Sequence, residues 1–167
     1  MIKNFNFLIV TMFGLGKFKS IPGTFGSLAT TIILFYLFHI LKISSNIILI
    51  GLIIIFIYSF YAVGNYIKNS KNKDPSEIII DEFLGQSIPI YLYEISHGAT
   101  KNFNDTLIYY FIIFLLFRYF DIIKPFPVNF FDKNFKNSFG VIMDDVCAGL
   151  YVIISLICFL TLKNYVL

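Results

Sequence analysis

Two uninterrupted apolar stretches constrain this chain more than anything else in it. Between Lys19 and Lys42 lie 22 residues without a charge, and between Lys42 and Lys68 lie 25. A transmembrane α-helix needs about 20 consecutive apolar residues, so each stretch is long enough to cross a bilayer unaided. Shorter uncharged runs follow at 83–93, 106–117 and 146–162. They reach full spans only if charged residues occupy their end turns, and an ionisable group at that depth needs a reason to be there. Composition agrees: 14% of the 167 residues are charged, against about 25% in an average soluble domain. Disorder, a collagen-like repeat, a coiled coil and a basic nucleic-acid-binding module are excluded. The expectation is a single domain over residues 1–167, an all-α, multi-pass membrane bundle of about four to five helices.

Helices are expected at 24–41, 46–67, 75–94, 106–124 and 144–162. Alternating them across the bilayer sorts the cations. Lys17, Lys19, Lys68, Lys71, Lys73, Arg118, Lys124, Lys133 and Lys136 fall on one side, and Lys42, Lys101 and Lys163 on the other. The bias makes the first side cytoplasmic. All the acids except Glu94 and Asp105 share that side, so the net charge of +3 is a topology signal. The stretch Phe5–Phe13 is too short for a secretory signal and is followed by no small-residue cleavage site, which makes it an interfacial segment. Asp74-Pro75-Ser76-Glu77 reads as the start of the third helix, with Pro at its first position. Lys124 precedes Pro125, which ends the fourth. The loop 125–143 carries Phe126, Phe130, Phe131, Phe135 and Phe139 among Lys and Asn, a pattern suited to lying on lipid headgroups.

Three helix ends on the cytoplasmic side carry carboxylates: Asp81-Glu82, Asp121 and Asp144-Asp145. Brought together they repel unless a cation neutralises them. Oxygen-only ligands without histidine suit a hard ion such as Mg²⁺. Arg118, Asp121 and Lys124 recur every three residues and lie roughly along one helix face. Carboxylates for a metal beside cations for an anion are the inventory of metal-assisted phosphoryl chemistry. Plainer roles compete: Asp144 or Asp145 as a helix cap, Asp81 and Glu82 as a charged pair at the water boundary, Arg118 and Lys124 as snorkelling anchors. The turn before the first full helix, Pro22-Gly23-Thr24-Phe25-Gly26-Ser27, suits a phosphate, although Thr24 or Ser27 also serves as a simple N-cap. His39 and His97 fall on the far side. Cys147 and Cys158 lie within a span, with no phosphate loop behind Cys147, which removes a cysteine-nucleophile phosphatase and a disulfide scaffold. A small cation- or proton-coupled transporter using helix-end carboxylates is the alternative reading.

Four blocks carry a resemblance: Pro22-Gly23-Thr24-Phe25-Gly26-Ser27-Leu28, Asp81-Glu82-Phe83-Leu84-Gly85-Gln86, the stretch from Phe117 through Arg118, Asp121 and Lys124 to Pro127, and Gly140 through Asp144-Asp145 to Gly149. In this order they resemble the signature blocks of the phosphatidylglycerophosphatase A family. The chain departs from the pattern at Lys19, at Ile80, Ser87 and Phe126, and at Asn137-Ser138, none of which replaces a carboxylate or the lysine. The resemblance implies a Mg²⁺-dependent phosphatase of the bacterial inner membrane that converts phosphatidylglycerophosphate to phosphatidylglycerol and inorganic phosphate at the cytoplasmic face. It assigns Asp81, Glu82, Asp144 and Asp145 to the metal, and Asp121 to the metal or to a base that activates water. Lys124, Arg118, Thr24 and Ser27 then hold the phosphate. Water attack and a carboxylate nucleophile both remain open.

Overall fold

The computed structural model describes residues 2–18, 20–69, 76–96 and 102–166, with side chains described for 5–18, 20–68, 76–96 and 102–162. Lys19, Lys71, Lys73, Asp74, Pro75, His97 and Lys101 lie outside the described residues. Among the described residues seven helices follow one another: α1 (Ile2–Val10), α2 (Pro22–Phe35), α3 (Ser45–Asn69), α4 (Ile80–Ser96), α5 (Phe103–Ile123), α6 (Val128–Asn134) and α7 (Ser138–Val166). A 3₁₀ turn at Leu15–Lys17 precedes α2, and a π-helical turn at Tyr36–Ile40 extends it. No strand occurs among the described residues. The expected multi-pass helical bundle is what the chain forms.

Among the described residues four helices are long and apolar enough to cross a membrane: Pro22–Ile40, Ser45–Lys68, Phe103–Ile123 and Ser138–Leu162. Their outward faces are apolar as well as their inward ones. On α3 the stripe Ile47, Ile50, Ile54, Ile57 and Tyr61 is exposed along its whole length, while Ala62 and Val63 are fully buried. An exposed apolar face that long is stable against lipid, not against water. α4 differs. It has 17 residues, about 25 Å at 1.5 Å per residue, and packs against α2, α3, α5 and α7 at once. Its Phe83, Leu84, Gly85, Gln86, Ser87, Pro89, Ile90 and Tyr93 are all buried.

Backbone proximity seats α4 on α7. A Cβ at Gly85 would collide with the Asp145 carbonyl, and one at Gly149 with the Gly85 carbonyl. Small residues at a crossing let two helices approach main chain to main chain. Pro89 has no N–H to return to the Gly85 carbonyl four residues earlier, so that carbonyl is left facing Gly149. The crossing lies within a turn of Asp81 on one helix and at Asp145 on the other.

Both helices start elsewhere than expected. α4 begins at Ile80, not 75, because Ser76 and Glu77 form a turn and the next residues run into a contact with the N-terminal segment. The Ile79 N–H donates to the Val10 carbonyl at 3.0 Å, and the Tyr66 hydroxyl donates to Glu77 at 2.7 Å. α7 begins at Ser138, not 144. Asn137 Oδ1 accepts the N–H groups of Phe139 and Gly140, each at 3.1 Å, and so caps it. The two acidic pairs thereby exchange places: Asp81-Glu82 sits in the first turn of its helix, and Asp144-Asp145 well inside its own.

Two further expectations are corrected. The N-terminal segment is packed into the bundle: Val10 and Thr11 are fully buried, and the Tyr58 hydroxyl of α3 donates to Asn6 at 2.6 Å. The loop 125–143 is mostly helical, holding α6 and the first turn of α7. Its aromatic character holds, because Phe130, Phe131, Phe135 and Phe139 form a continuous cluster of ring contacts. Phe126 and Phe130 remain exposed.

Candidate active site

The starts of α2, α4 and α7 and the end of α5 meet at one end of the bundle around a cavity of about 390 Å³. Asp81, Glu82, Asp121, Asp144, Asp145, Thr24, Arg118 and Lys124 all line it. Residues from four separate blocks of the chain therefore share one site, as alternation of the helices requires.

Each acidic pair is locally ordered in the same way. The Glu82 N–H donates to Asp81 Oδ1 at 3.1 Å, and the Asp145 N–H donates to Asp144 Oδ1 at 3.0 Å. The α4–α7 crossing then brings the pairs together. One carboxylate oxygen from each of Asp81, Glu82 and Asp145 lies within 4.8 Å of the other two. Glu82 Oε2 is buried and has no hydrogen-bond partner among the described residues. Two like charges about 4 Å apart repel by about 4 kcal/mol at an effective dielectric of about 20, so three together demand compensation. A hard cation with oxygen ligands supplies it, and an orphaned buried carboxylate oxygen is the donor such an ion takes. The residues fit a divalent metal.

Asp144 stands outside that trio. Its Oδ2 accepts Lys124 Nζ at 3.0 Å, and the same ammonium reaches Asp132 Oδ1 at 2.9 Å. Lys124 ends α5 in a left-handed conformation (φ 50°, ψ 61°), its N–H still donating to the Phe120 carbonyl at 2.9 Å. That turn swings its side chain back over the cavity. Burial pulls the Lys124 ammonium down, but Asp144 and Asp132 outweigh burial and hold it above the ordinary lysine range. It is a fixed positive charge.

Arg118 faces the trio from α5. Its Nη1 donates to Asp121 Oδ2 at 2.5 Å and to Ser27 Oγ at 3.4 Å, while its Nε is buried with no partner among the described residues. Gly23 makes this packing possible: a Cβ there would run into Glu82 Oε1 and stand 3.2 Å from Arg118 Nη1. Thr24 and Ser27 do not cap α2, whose N-cap position is Ile21 and carries no side-chain bond. Thr24 is on the cavity wall. Ser27 is fully buried behind Arg118, donating to the Gly23 carbonyl at 2.9 Å.

Sequence reasoning missed Asp132 and Lys136, which also line the cavity. A signal existed for the first, since Asp132 is the sole acid between Pro125 and Met143. Among the histidines, His39 lies at the opposite end of the bundle, half-buried, with Nε2 3.1 Å from Glu94 Oε1.

Comparison with known proteins identifies a family and several relatives. The family model described as Phosphatidylglycerophosphatase A matches residues 8–160. The chain is 36% identical over 147 residues to a Haemophilus influenzae phosphatidylglycerophosphatase A, covering 88% of this chain and 83% of the relative. It is 30% identical over 144 residues to the protein of that name from Escherichia coli K12, covering 85% and 76% respectively. A Bacteroides thetaiotaomicron protein, named provisionally as a phosphatidylinositol-3-phosphatase, is 36% identical over 146 residues, covering 86% of each chain. No solved structure matches the chain.

Proposed function

The chain belongs to the phosphatidylglycerophosphatase A family, and from that premise we propose that this lipid phosphatase hydrolyses phosphatidylglycerophosphate to phosphatidylglycerol and inorganic phosphate, with Mg²⁺, at the cytoplasmic face of a bacterial inner membrane. The single observation that carries the reading is the Asp81–Glu82–Asp145 carboxylate trio, half-buried at Asp81 and Glu82 and buried at Asp145, with its orphaned Glu82 oxygen, set beside Arg118 and Lys124. Family membership sets aside a transporter. The charge bias seen in the sequence supports a cytoplasmic position for the site end.

Asp81, Glu82 and Asp145 would hold the metal, with Asp144 as a further candidate that pairs with Lys124 here. When bound, the ion offsets negative charge on the phosphoryl oxygens. The chain's own groups do the rest. Lys124, kept charged by Asp144 and Asp132, binds a phosphate oxygen as a compact point charge. Arg118 presents its buried guanidinium from the opposite wall, and Thr24 adds a hydroxyl at the start of α2. Asp121, steadied by Arg118, takes the proton of a water that attacks phosphorus. The leaving glycerol oxygen takes a proton from solvent as phosphate departs, and Asp121 returns to solvent the proton it took. Water is the nucleophile in this scheme because the cavity carboxylates are otherwise engaged, with the metal, Arg118 or Lys124, and Cys147 is buried in α7 and does not line the cavity.

Phosphate release by the detergent-solubilised protein tests this. Release from phosphatidylglycerophosphate that stops on chelation and returns with Mg²⁺ is expected. No release, or release indifferent to chelation, contradicts it. A parallel assay on a phosphoinositide monophosphate checks the headgroup, since one relative carries a name in that class.

A further inference from the structure

Beyond the charged cavity, an apolar groove of about 330 Å³ runs between α2 and α5. Among the residues lining it are Leu28, Thr31 and Phe35 from α2, and Leu107, Phe111 and Phe114 from α5. Helical spacing ties the groove to the cavity. On α2, Ile21 and Thr24 line the cavity, and Leu28, Thr31 and Phe35 continue the same stripe at intervals of three and four residues. On α5, Asp121 and Arg118 line the cavity, and Phe114, Phe111 and Leu107 continue that stripe in the same way. Residues so spaced lie along one helix face. Groove and cavity therefore lie along the same faces of α2 and α5, charged at the bundle end and apolar below, with the Arg118–Ser27 contact between them.

Both stretches open at the bundle surface. At the cavity end Ile21 and Ile122 are 61% and 70% exposed. Leu28, Ile32, Leu107 and Phe111 are likewise exposed. Two other apolar grooves are tied to the cavity less fully. One lies along the last turns of α4, at Leu92, Tyr93 and Ile95, away from the end that carries Asp81. Another sets Leu84, Ile88 and Tyr91 of α4 against Leu49, Ile53 and Phe56 of α3; its α4 wall starts near Asp81, but no described α3 residue lines the cavity, so only one of its walls continues from the site.

We propose that the α2–α5 groove seats an acyl chain of the same lipid phosphate molecule whose headgroup enters the cavity. This rests on the phosphatase reading and extends it: the enzyme recognises the lipid tail along a fixed path, instead of leaving it in bulk lipid. The groove extends about 10 Å along α2 from Leu28 to Phe35, so it grips the part of the chain nearest the headgroup.

The test compares diacyl phosphatidylglycerophosphate with its water-soluble deacylated headgroup as substrates. Leu28→Trp and Leu107→Trp fill the groove from exposed positions; Ile53→Trp fills the α3–α4 groove as a control. Displacing about two methylenes from the groove is expected to lower the ratio of kcat/KM for diacyl over deacylated substrate about tenfold, with the ratio unchanged in the control. An unchanged ratio in both groove variants overturns the groove assignment alone, as does an equal fall in Ile53→Trp. Hydrolysis of neither substrate by the unaltered chain overturns the phosphatase reading and the groove with it. A lipid substrate with a photoreactive group near the start of its acyl chain gives a second readout on the unaltered protein. Labelling of residues 28–35 and 107–114 is expected, and labelling confined to α3 or to the end of α4 overturns the proposal.

Discussion

α4 carries a glutamate near each end, and the two are treated in opposite ways. Glu94, in its last turn, has its Oε1 3.1 Å from His39 Nε2 and accepts the Tyr110 hydroxyl at 3.0 Å. Phe35 packs on the His39 ring, with centroids 4.7 Å apart. Glu82, 12 residues earlier and about 18 Å along the axis, has a buried oxygen with no partner among the described residues, and the Arg118 Nε opposite is equally short of one. Burying a charge is costly, and a fold that buries one for its own cohesion surrounds it with partners. Glu94 is so surrounded; Glu82 is not, as expected if the proposed metal completes it. The difference separates a structural charge from a functional one where composition and depth do not.

The strongest way to break this comparison is to neutralise each end in turn. Asp81→Asn and Asp145→Asn keep shape but remove a ligand charge, and turnover should fall by about 10³-fold or more, with helicity by circular dichroism unchanged. Lys124→Met removes a preorganised cation and should cost about 10²–10³ in kcat. Lys124→Arg should recover only part of that, because a planar guanidinium replaces a compact ammonium held between Asp144 and Asp132. Lys68→Met, at the same end but outside the cavity, should be silent. Steady-state kinetics on phosphatidylglycerophosphate checks all of these.

At the other end, Glu94→Gln keeps an acceptor for Tyr110 but loses the pairing with His39. It should lower stability by about 1–3 kcal/mol, seen as a lower Tm, while kcat of the folded protein changes less than about twofold. The smallest effect belongs to Asp132→Asn. The Lys124–Asp132 pair is roughly a third exposed on each side, and pairs of that kind are worth about 0.2–1 kcal/mol. A loss of less than about fivefold in kcat/KM is expected.

The spans were legible because their signal is one-dimensional. Runs without charge between lysines mark α2 and α3 whatever they pack against, and the site residues were legible because carboxylates inside such runs are conspicuous. What stayed hidden depended on partners. The start of α4 was misplaced because Pro75, Ser76 and Glu77 look like a cap until the Val10 carbonyl takes the Ile79 N–H. The start of α7 was visible in Asn137, a residue type that caps helices, but Asp144, seven residues on, offers the same signal. That Asp144 turns to Lys124 while Asp145 joins Asp81 and Glu82 follows from the Gly85–Gly149 crossing, which no single segment announces. Nor does any spacing reveal that α6 delivers Asp132 to the ammonium.

The central claim is that the orphaned end of α4 binds a divalent metal. Thermal unfolding of the detergent-solubilised protein against rising Mg²⁺ tests it without reference to turnover. A ligand bound only by the folded state at about 100 times its Kd stabilises by about 2.7 kcal/mol. The wild-type Tm should therefore climb with Mg²⁺ and saturate. Glu94→Gln should start lower and climb by the same amount, and Asp81→Asn should not climb. A wild-type Tm indifferent to Mg²⁺, or an Asp81→Asn protein that gains as much as wild type, would contradict the account.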